Sequence, residues 1–307
     1  MLQSRFIKNL KKDKMLLLLL LPGTLYLIVN NYIPMFGIII AFKDINYAKG
    51  ILGSDWVGFK NFEFLFHSID SWLITRNTVL YNAVFIVLNT VVAIAFAVML
   101  NEMKRRFLAK FFQSVIFLPY FLSMILVGYL GYALMNGEFG YINKHVLVPL
   151  GFDAVDFYSR PDLWIYILPL VNLWKNVGYL SVIFLAAIIG IDNEYYEAAV
   201  IDGASKWQQV KSITIPLIMP VIVILTLLAI GRIFYSDFGL FYQVPMDAGA
   251  LYSTTNVIDT YVYRALLEMG NIGMSAAAGL YQSFVGLLLV LGANLLVRKI
   301  NKENALI

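Results

Sequence analysis

The chain has 307 residues, of which 60% are hydrophobic, with a net charge of +4 and no cysteine; its mean hydropathy is +0.76. Soluble domains carry roughly 45–50% apolar residues, so one soluble core cannot bury this excess and lipid must solvate much of the chain. The lack of cysteine excludes disulfides, thiol catalysis and thiolate metal sites, and the only histidines, His67 and His145, are too far apart in sequence to predict a metal centre.

Long apolar runs predict an all-α integral membrane protein with six transmembrane helices. Each run exceeds the roughly 20 residues that cross a hydrocarbon core of about 30 Å. In chain order, the predicted spans are residues 15–41, 78–100, 111–135, 163–191, 215–234 and 276–297. The first run is too long for a signal peptide and no A-x-A-like site closes it, so we predict a span there. The predicted division is an N-terminal segment 1–14, a six-helix domain 15–297 and a tail 298–307.

Lysine and arginine predict the orientation of the chain. Fourteen of the 23 basic residues fall on the side of the two termini, and seven fall in the opposite loops. The other two, Lys175 and Arg232, lie inside spans or at their edges. Because basic residues accumulate in cytoplasmic loops, both termini and the connector between spans four and five are predicted to be cytoplasmic.

The first outer loop carries an aromatic stripe. Phe59, Phe62 and Phe66 recur at helical spacing, which predicts a short helix lying at the outer membrane interface. A contact with an external partner is the alternative interpretation.

The connector, residues 192–214, is the most informative segment. Asp192 or Asn193 can cap a helix over residues 194–201, and Gly203 allows a turn with φ > 0. Ser205-x-x-Gln208 has the form of a capping box that starts a second helix. Pro216 then marks the start of span five, since proline is tolerated in the first turn of a helix. These signals predict a folded helix pair where most membrane proteins have a short polar turn.

The pattern E-A-A-x-x-D-G-A with a following I-P resembles the signature of the membrane permeases of bacterial ABC importers. Tyr195-Tyr196 and Asp202-Gly203-Ala204 look like the carbohydrate-uptake branch, and motifs along the whole chain look like its LplB-like group for oligosaccharides and polysaccharide fragments. These further motifs are Y-I-P-M-F-G from Tyr32, A-F-K-D from Ala41, W-V-G-F from Trp56, G-R-I-F-Y from Gly231 and T-Y-V-Y-R from Thr260. Val210 stands where that signature usually has an aromatic residue.

The resemblance implies that the connector is a coupling helix pair that docks into a groove of a cytoplasmic ATPase. Glu197 would then pair with a basic residue of the ATPase, and Gly203 would permit the bend. The residues implied in coupling are Glu197, Ala198, Ala199, Asp202, Gly203, Ala204 and Pro216. The chain would lie in the bacterial cell membrane beside a second, similar permease, with two ATPase subunits inside and an extracellular solute-binding lipoprotein that delivers the oligosaccharide.

Polar residues inside spans predict the solute path, because a polar group is costly in hydrocarbon. Amides bind the hydroxyl rim of a sugar and aromatic rings stack on its apolar faces. Asn172, Asn176 and Tyr179 share one helix face at i, i+4 and i+7, with Trp174 on a flank. The path candidates are Asn172, Trp174, Asn176, Tyr179, Arg232 and Tyr235.

Each candidate has a plainer alternative. Arg232 can instead pair with Asp237 near the interface, and Tyr281-Gln282-Ser283 can serve hydrogen bonds between helices. Tyr132 and Asn136 are weaker candidates of the same kind.

The sequence therefore predicts a non-catalytic transport subunit that moves oligosaccharides by alternating access. No G-x-x-x-x-G-K-[ST] motif occurs, so the chain is expected to bind no cofactor, and ATP and Mg²⁺ belong to the partner ATPase. We expect no catalytic residue, metal ligand or nucleic-acid partner in this chain. Alternatives are a permease for another polar solute, an ion-coupled secondary transporter, disfavoured because the spans lack interior acidic residues, and a membrane enzyme.

Overall fold

The computed structural model describes residues 14–67, 69–268 and 270–300. Five helices are long and apolar enough to cross a membrane, and one sharply bent pair makes a sixth if it counts as one span. We name them span one to span six: Lys14–Phe42, Asp70–Glu102, the pair Arg106–Phe121 and Met124–Met135, Pro161–Ile189, Lys206–Ile230 and Ile272–Lys299. The prediction of a helical membrane protein is confirmed. The predicted N-terminal segment, apart from Lys14, and residues 301–307 of the predicted tail lie outside the described residues.

Shorter elements connect the spans. One antiparallel hairpin pairs the strands Lys43–Asp44 and Asp55–Trp56. The connecting α-helices are Gly50–Gly53, Phe64–His67, Asn193–Ile201, Phe238–Gln243, Tyr252–Thr255 and Ile258–Leu267, and the 3₁₀ turns outside the spans are Lys60–Phe62, Val148–Leu150, Phe157–Ser159 and Gly249–Leu251.

Span three differs most from the prediction of one continuous helix. Its two halves meet at 98°, and the first half closes in a 3₁₀ turn over Leu118–Phe121 that contains Pro119. The second half starts at Met124, where the Ser123 hydroxyl caps the helix by accepting from the Leu126 backbone N–H at 3.3 Å. Since proline lacks an N–H and cannot continue the hydrogen-bond ladder, this segment forms a corner.

Proline also explains the irregular turns inside otherwise continuous helices. Each π turn in the described chain ends two residues before a proline, and the residue between them donates its N–H to a carbonyl five residues back. The three π turns are Ile28–Tyr32 before Pro34, Asn143–Leu147 before Pro149 and Val210–Thr214 before Pro216. A wider turn avoids the clash between a proline ring and the carbonyl four residues earlier. Span five therefore runs unbroken out of the connector.

The described chain divides into two compact units. The first comprises the described residues up to Leu65 together with Ala265–Leu280, and the second comprises Phe66–Arg264 together with the chain from Tyr281 onward. Span one buries no residue over Lys14–Leu27.

The second unit contains two apolar clusters, which pack side chains of spans two to five. One lies around Trp164 and Phe241 and the other around Phe184 and Ile218.

The aromatic loop of the first unit is only partly the predicted interfacial helix. Residues 55–56 form a strand, and Gly58 takes a left-handed φ of 59° that interrupts any helix through it. Helical turns begin at Lys60. Phe59 and Phe62 instead pack on Phe42 at ring distances of 5.5 and 5.4 Å.

Candidate functional site

The first arm of the connector is the helix Asn193–Ile201, close to the predicted bounds. The predicted cap is confirmed, because the Asp192 carboxylate accepts the Glu194 backbone N–H at 3.0 Å. After the helix, Gly203 has a φ of 76°. The N–H groups of Gly203 and Ala204 close the helix end by donating to carbonyls three and five residues back, at 3.1 and 2.9 Å. This double closure needs a left-handed residue, which explains the glycine.

The second arm starts as predicted with a capping box. The Ser205 hydroxyl accepts the Gln208 N–H, and the Gln208 amide accepts the Ser205 N–H at 2.7 Å. The helix then continues through the π turn into span five. The Tyr196 hydroxyl meets the Thr214 hydroxyl at 2.9 Å, so the two arms are hydrogen-bonded to each other. The connector is therefore a folded corner that is continuous with span five.

A cleft of about 350 Å³ lies between the arms. Its lining is Asn193, Tyr196, Glu197, Val200, Ile201, Lys206 and Gln209. Ile201 and Trp207 expose 85% and 72% of their surface, far more than buried apolar residues do. Neither residue was among the predicted coupling residues. A large apolar side chain in an otherwise polar connector is the sequence feature that indicates such a contact.

The residues predicted for coupling sit on this corner as follows. Glu197, Ala198, Asp202 and Gly203 are exposed, as is Pro216 at the start of the apolar part of span five. Ala199 and Ala204 are half-buried. The Lys206 ammonium also pairs with the Glu102 carboxylate at 3.0 Å, which places the end of span two beside the connector.

The predicted solute-path residues of span four have different surroundings. Asn172 is buried, and its amide oxygen accepts the amide N–H of Asn89 from span two at 2.8 Å. Asn176 donates to the Asn172 backbone carbonyl at 2.9 Å. Trp174 and Tyr179 are 43% and 40% exposed. Asn172 therefore joins two spans, whereas the two aromatic rings remain accessible.

Span five ends at Ile230, before the predicted 234, and the segment that follows is held by side chains of other spans. The Asn82 amide donates to the carbonyls of Ile233 and Tyr235 at 3.0 and 3.1 Å, and Gln282 donates to that of Phe234 at 2.6 Å. The Tyr235 hydroxyl meets the Ser283 hydroxyl at 2.5 Å. Gln282 and Ser283 of span six therefore make structural hydrogen bonds, as in the plainer alternative, but to the segment after span five and not to a helix.

Arg232 is exposed, and among the described residues no ion pair joins it to Asp237. Asp237 instead caps the helix Phe238–Gln243 by accepting the Leu240 N–H at 3.1 Å. In span three, Tyr132 packs edge-on against Tyr158.

Two charged clusters occupy the loop between spans five and six. Burial raises the pKa of Asp259, against the opposing effect of hydrogen bonds that its carboxylate accepts from the Ser236 N–H and the Gln282 amide. Arg264 donates to the Asp247 carboxylate at 2.7 Å, with both side chains largely buried. Asp247 has a left-handed φ of 47° without being glycine, so the ion pair holds a strained turn.

Comparisons with known proteins extend over the whole chain. Residues 89–302 match the family described as "Binding-protein-dependent transport system inner membrane component". The chain is 36% identical to the polygalacturonan/rhamnogalacturonan transport system permease protein YteP of Bacillus subtilis (strain 168), over 98% of this chain and 93% of that protein. It is 33% identical to protein LplB of the same organism, over 96% and 92%.

A solved structure agrees with these relatives. A chain of the bacterial alginate ABC transporter, in complex with an alginate pentasaccharide-bound periplasmic protein, superposes with a TM-score of 0.86 at 31% identity, covering 97% of this chain and 99% of that one.

Proposed function

This chain belongs to the binding-protein-dependent transport system inner membrane component family, and from that membership we propose that it is one transmembrane half of an ATP-driven oligosaccharide importer. The observation that carries the proposal is the likeness to the alginate transporter and to YteP along nearly the entire chain. Both of those relatives handle sugar polymers, so fragments of polysaccharides are the proposed solute. We further propose that the chain is a multi-pass membrane subunit without a catalytic role, whose six spans lie within residues 15–297.

The proposed orientation places both termini, segment 1–14 and tail 298–307, in the cytoplasm. The basic residues support this orientation. So does the Glu102–Lys206 pair, which keeps the end of span two on the same side as the connector.

The connector is the proposed contact with the ATPase. Its arms form a capped corner with a cleft, and its exposed Ile201 and Trp207 are suited to fill an apolar groove. Glu197 at the cleft supplies a charge for a basic partner. Because the second arm is continuous with span five, a push on the corner moves that span. ATP binding by two partner ATPase subunits would in this way shift the spans between inward and outward access.

The proposed solute path runs along the accessible polar and aromatic groups of span four and of the segment that follows span five. Trp174 and Tyr179 offer stacking faces, and Asn176, Arg232 and Tyr235 offer hydrogen bonds. Asn172 would act from behind this surface, by fixing span four to span two. A second, similar permease would complete the path, and a solute-binding lipoprotein would load it from outside.

The partner composition is tested by gentle-detergent purification of the tagged chain from its own membranes, with identification by mass spectrometry. We expect a second permease and a soluble ATPase to copurify. A Trp207→Ala variant with the same tag is the comparison, and we expect it to capture less ATPase while retaining the second permease. Recovery of the chain alone in several detergents contradicts the proposed assembly.

The solute is tested by uptake of labelled oligosaccharides into cells with and without the gene. We expect deletion to abolish uptake of polysaccharide fragments, and restoration of the gene to return it. Uptake that survives deletion, or that stops when a protonophore is added while ATP is intact, contradicts an ATP-driven oligosaccharide importer and favours a secondary transporter.

A further inference from the structure

Within the described chain, the corner of span three leaves the backbone carbonyls of Tyr120 and Leu122 without a backbone donor, while that of Pro119 accepts the Leu122 N–H at 3.2 Å. The last carbonyls of any helix lack intrahelical donors, and the 3₁₀ turn Leu118–Phe121 ends with the chain turned by 98°. In hydrocarbon each unsatisfied backbone group costs several kcal/mol. A corner inside a membrane span therefore requires donors from another element.

Lys175 of span four supplies these donors. Its ammonium donates to the backbone carbonyls of Pro119 and Tyr120, at 3.4 and 3.1 Å, and to that of Leu122. A lysine ammonium has three N–H donors, so each has an acceptor at the corner. Among the described residues, no carboxylate lies within ion-pair distance of Lys175. The backbone carbonyls of the corner therefore take the place of water around the Lys175 ammonium. Lys175 lies at the midpoint of the 29-residue helix Pro161–Ile189.

Two further residues on the same face of span four contact the same corner. A Cβ added at Gly178 would lie 2.1 Å from the Ile116 carbonyl oxygen, so only glycine lets the two backbones approach this closely. The Tyr179 ring stacks on the Tyr120 ring at 4.7 Å with 10° between their planes. Positions i, i+3 and i+4 of one helix therefore hold the corner by charge, by close backbone contact and by stacking.

Span four also leads directly into the connector. Its helix ends at Ile189, and the first connector helix begins at Asn193, 18 residues after Lys175. At 1.5 Å per residue, the 14 residues from Lys175 to the helix end at Ile189 carry a displacement of the connector over ~21 Å. Tyr120 and Tyr179, the stacked rings at the corner, are both partly exposed.

We propose that Lys175 is a positioning residue that fastens the corner of span three to span four, so that movement of the connector reaches the solute path at that corner. The expected effect on transport rests on the proposed importer function, whereas the attachment of span three to span four depends only on the contacts above. Lys175 need not touch the solute.

The test measures the corner directly in the assembled transporter. The chain has no cysteine, so Ser114→Cys and Leu130→Cys, on the two halves of span three, accept the only spin labels on this chain, which is labelled before it is assembled with its partners. Distances between the labels are measured by pulsed electron resonance, without nucleotide and with a non-hydrolysable ATP analogue. The variants are Lys175→Met, Lys175→Arg and Lys175→Gln, and Lys110→Met on the first half of span three is the matched control.

We expect one narrow distance that shifts when the ATP analogue binds, in the unsubstituted chain, in Lys175→Arg and in the control. In Lys175→Met the distribution broadens and the shift is lost. Uptake falls by ~10-fold or more, since even one of the three lost charge-assisted hydrogen bonds accounts for a change of that size. If the Met variant fails to assemble, the Gln variant takes its place, with a broader distribution than Arg.

An unchanged distance and shift in Lys175→Met, or in Gln where Met does not assemble, overturns the proposal. So does a broadened corner with undiminished uptake. If the unsubstituted complex shows the expected distance and shift but transports no oligosaccharide, the fastening stands and the proposed solute fails.

Discussion

Replacing Gly203 tests whether the bend of the connector links ATP hydrolysis to transport. The residue has a φ of 76°, and a Cβ there would meet no atom within 4 Å. The whole cost of a side chain is therefore backbone strain, which is roughly 1–2 kcal/mol for an L-residue in the left-handed region and highest for a β-branched one. A cost of ~1.4 kcal/mol is a tenfold change in population. Gly203→Val should thus depopulate the bent connector about tenfold or more, and Gly203→Ala less.

The assay is the number of ATP molecules hydrolysed per oligosaccharide taken up by proteoliposomes that contain the complete transporter. We expect this ratio to rise in the order glycine, alanine, valine. With the bend depopulated, the ATPase hydrolyses ATP but the connector does not transmit its movement to the spans. Gly203→Asn should lie near the unsubstituted chain, since asparagine tolerates a left-handed φ.

Gly190→Ala is the matched control for Gly203→Ala. Gly190 ends span four with an ordinary φ of −74°, and an added Cβ would make an ordinary 3.4 Å contact. We expect its ratio to be unchanged. An unchanged ratio in Gly203→Val would remove the bend from the mechanism.

Other residues make further predictions. Trp207→Ala should weaken ATPase capture by about 30-fold, the effect of ~2 kcal/mol at an exposed aromatic anchor, whereas Trp72→Ala, equally exposed on span two, should leave it unchanged in the same pull-down. Arg264→Met should destabilise the chain by about 3 kcal/mol, because it strands the Asp247 carboxylate; an unchanged thermal midpoint would contradict this. Burial raises the pKa of Asp259, so its contribution to stability declines as pH rises above the ordinary value of about 4. Asp259→Asn should flatten that decline above pH 4, and an equal dependence of the thermal midpoint on pH in the two chains would refute it.

The local signals of the connector could be predicted because they act over a few residues. The Asp192 cap, the Gly203 turn and the Ser205–Gln208 box each depend on partners two to five positions away, and each is present. The same reasoning found six apolar segments, because their length is a property of the sequence alone.

The solute path could be predicted only in part. Local spacing shows which residues share a helix face, but it does not show which other segment of the chain packs against that face. Spacing placed Asn172 on a polar face, but Asn89, 83 residues earlier, covers it. The third run was predicted as one continuous span although Pro119 lies within it, and the carbonyls of the observed corner accept hydrogen bonds from Lys175, more than 50 residues later. Lys175 stood out in the sequence as an intramembrane charge, and nothing near it in sequence indicated its partner.

The most direct measurement of the central claim is uptake by proteoliposomes that contain this chain, its second permease, the ATPase and the binding protein. A labelled polysaccharide fragment is supplied outside and ATP at the ATPase face. We expect accumulation that requires ATP hydrolysis and the loaded binding protein, and that a protonophore leaves unchanged. Accumulation without ATP, or its collapse with the proton gradient, would contradict the account.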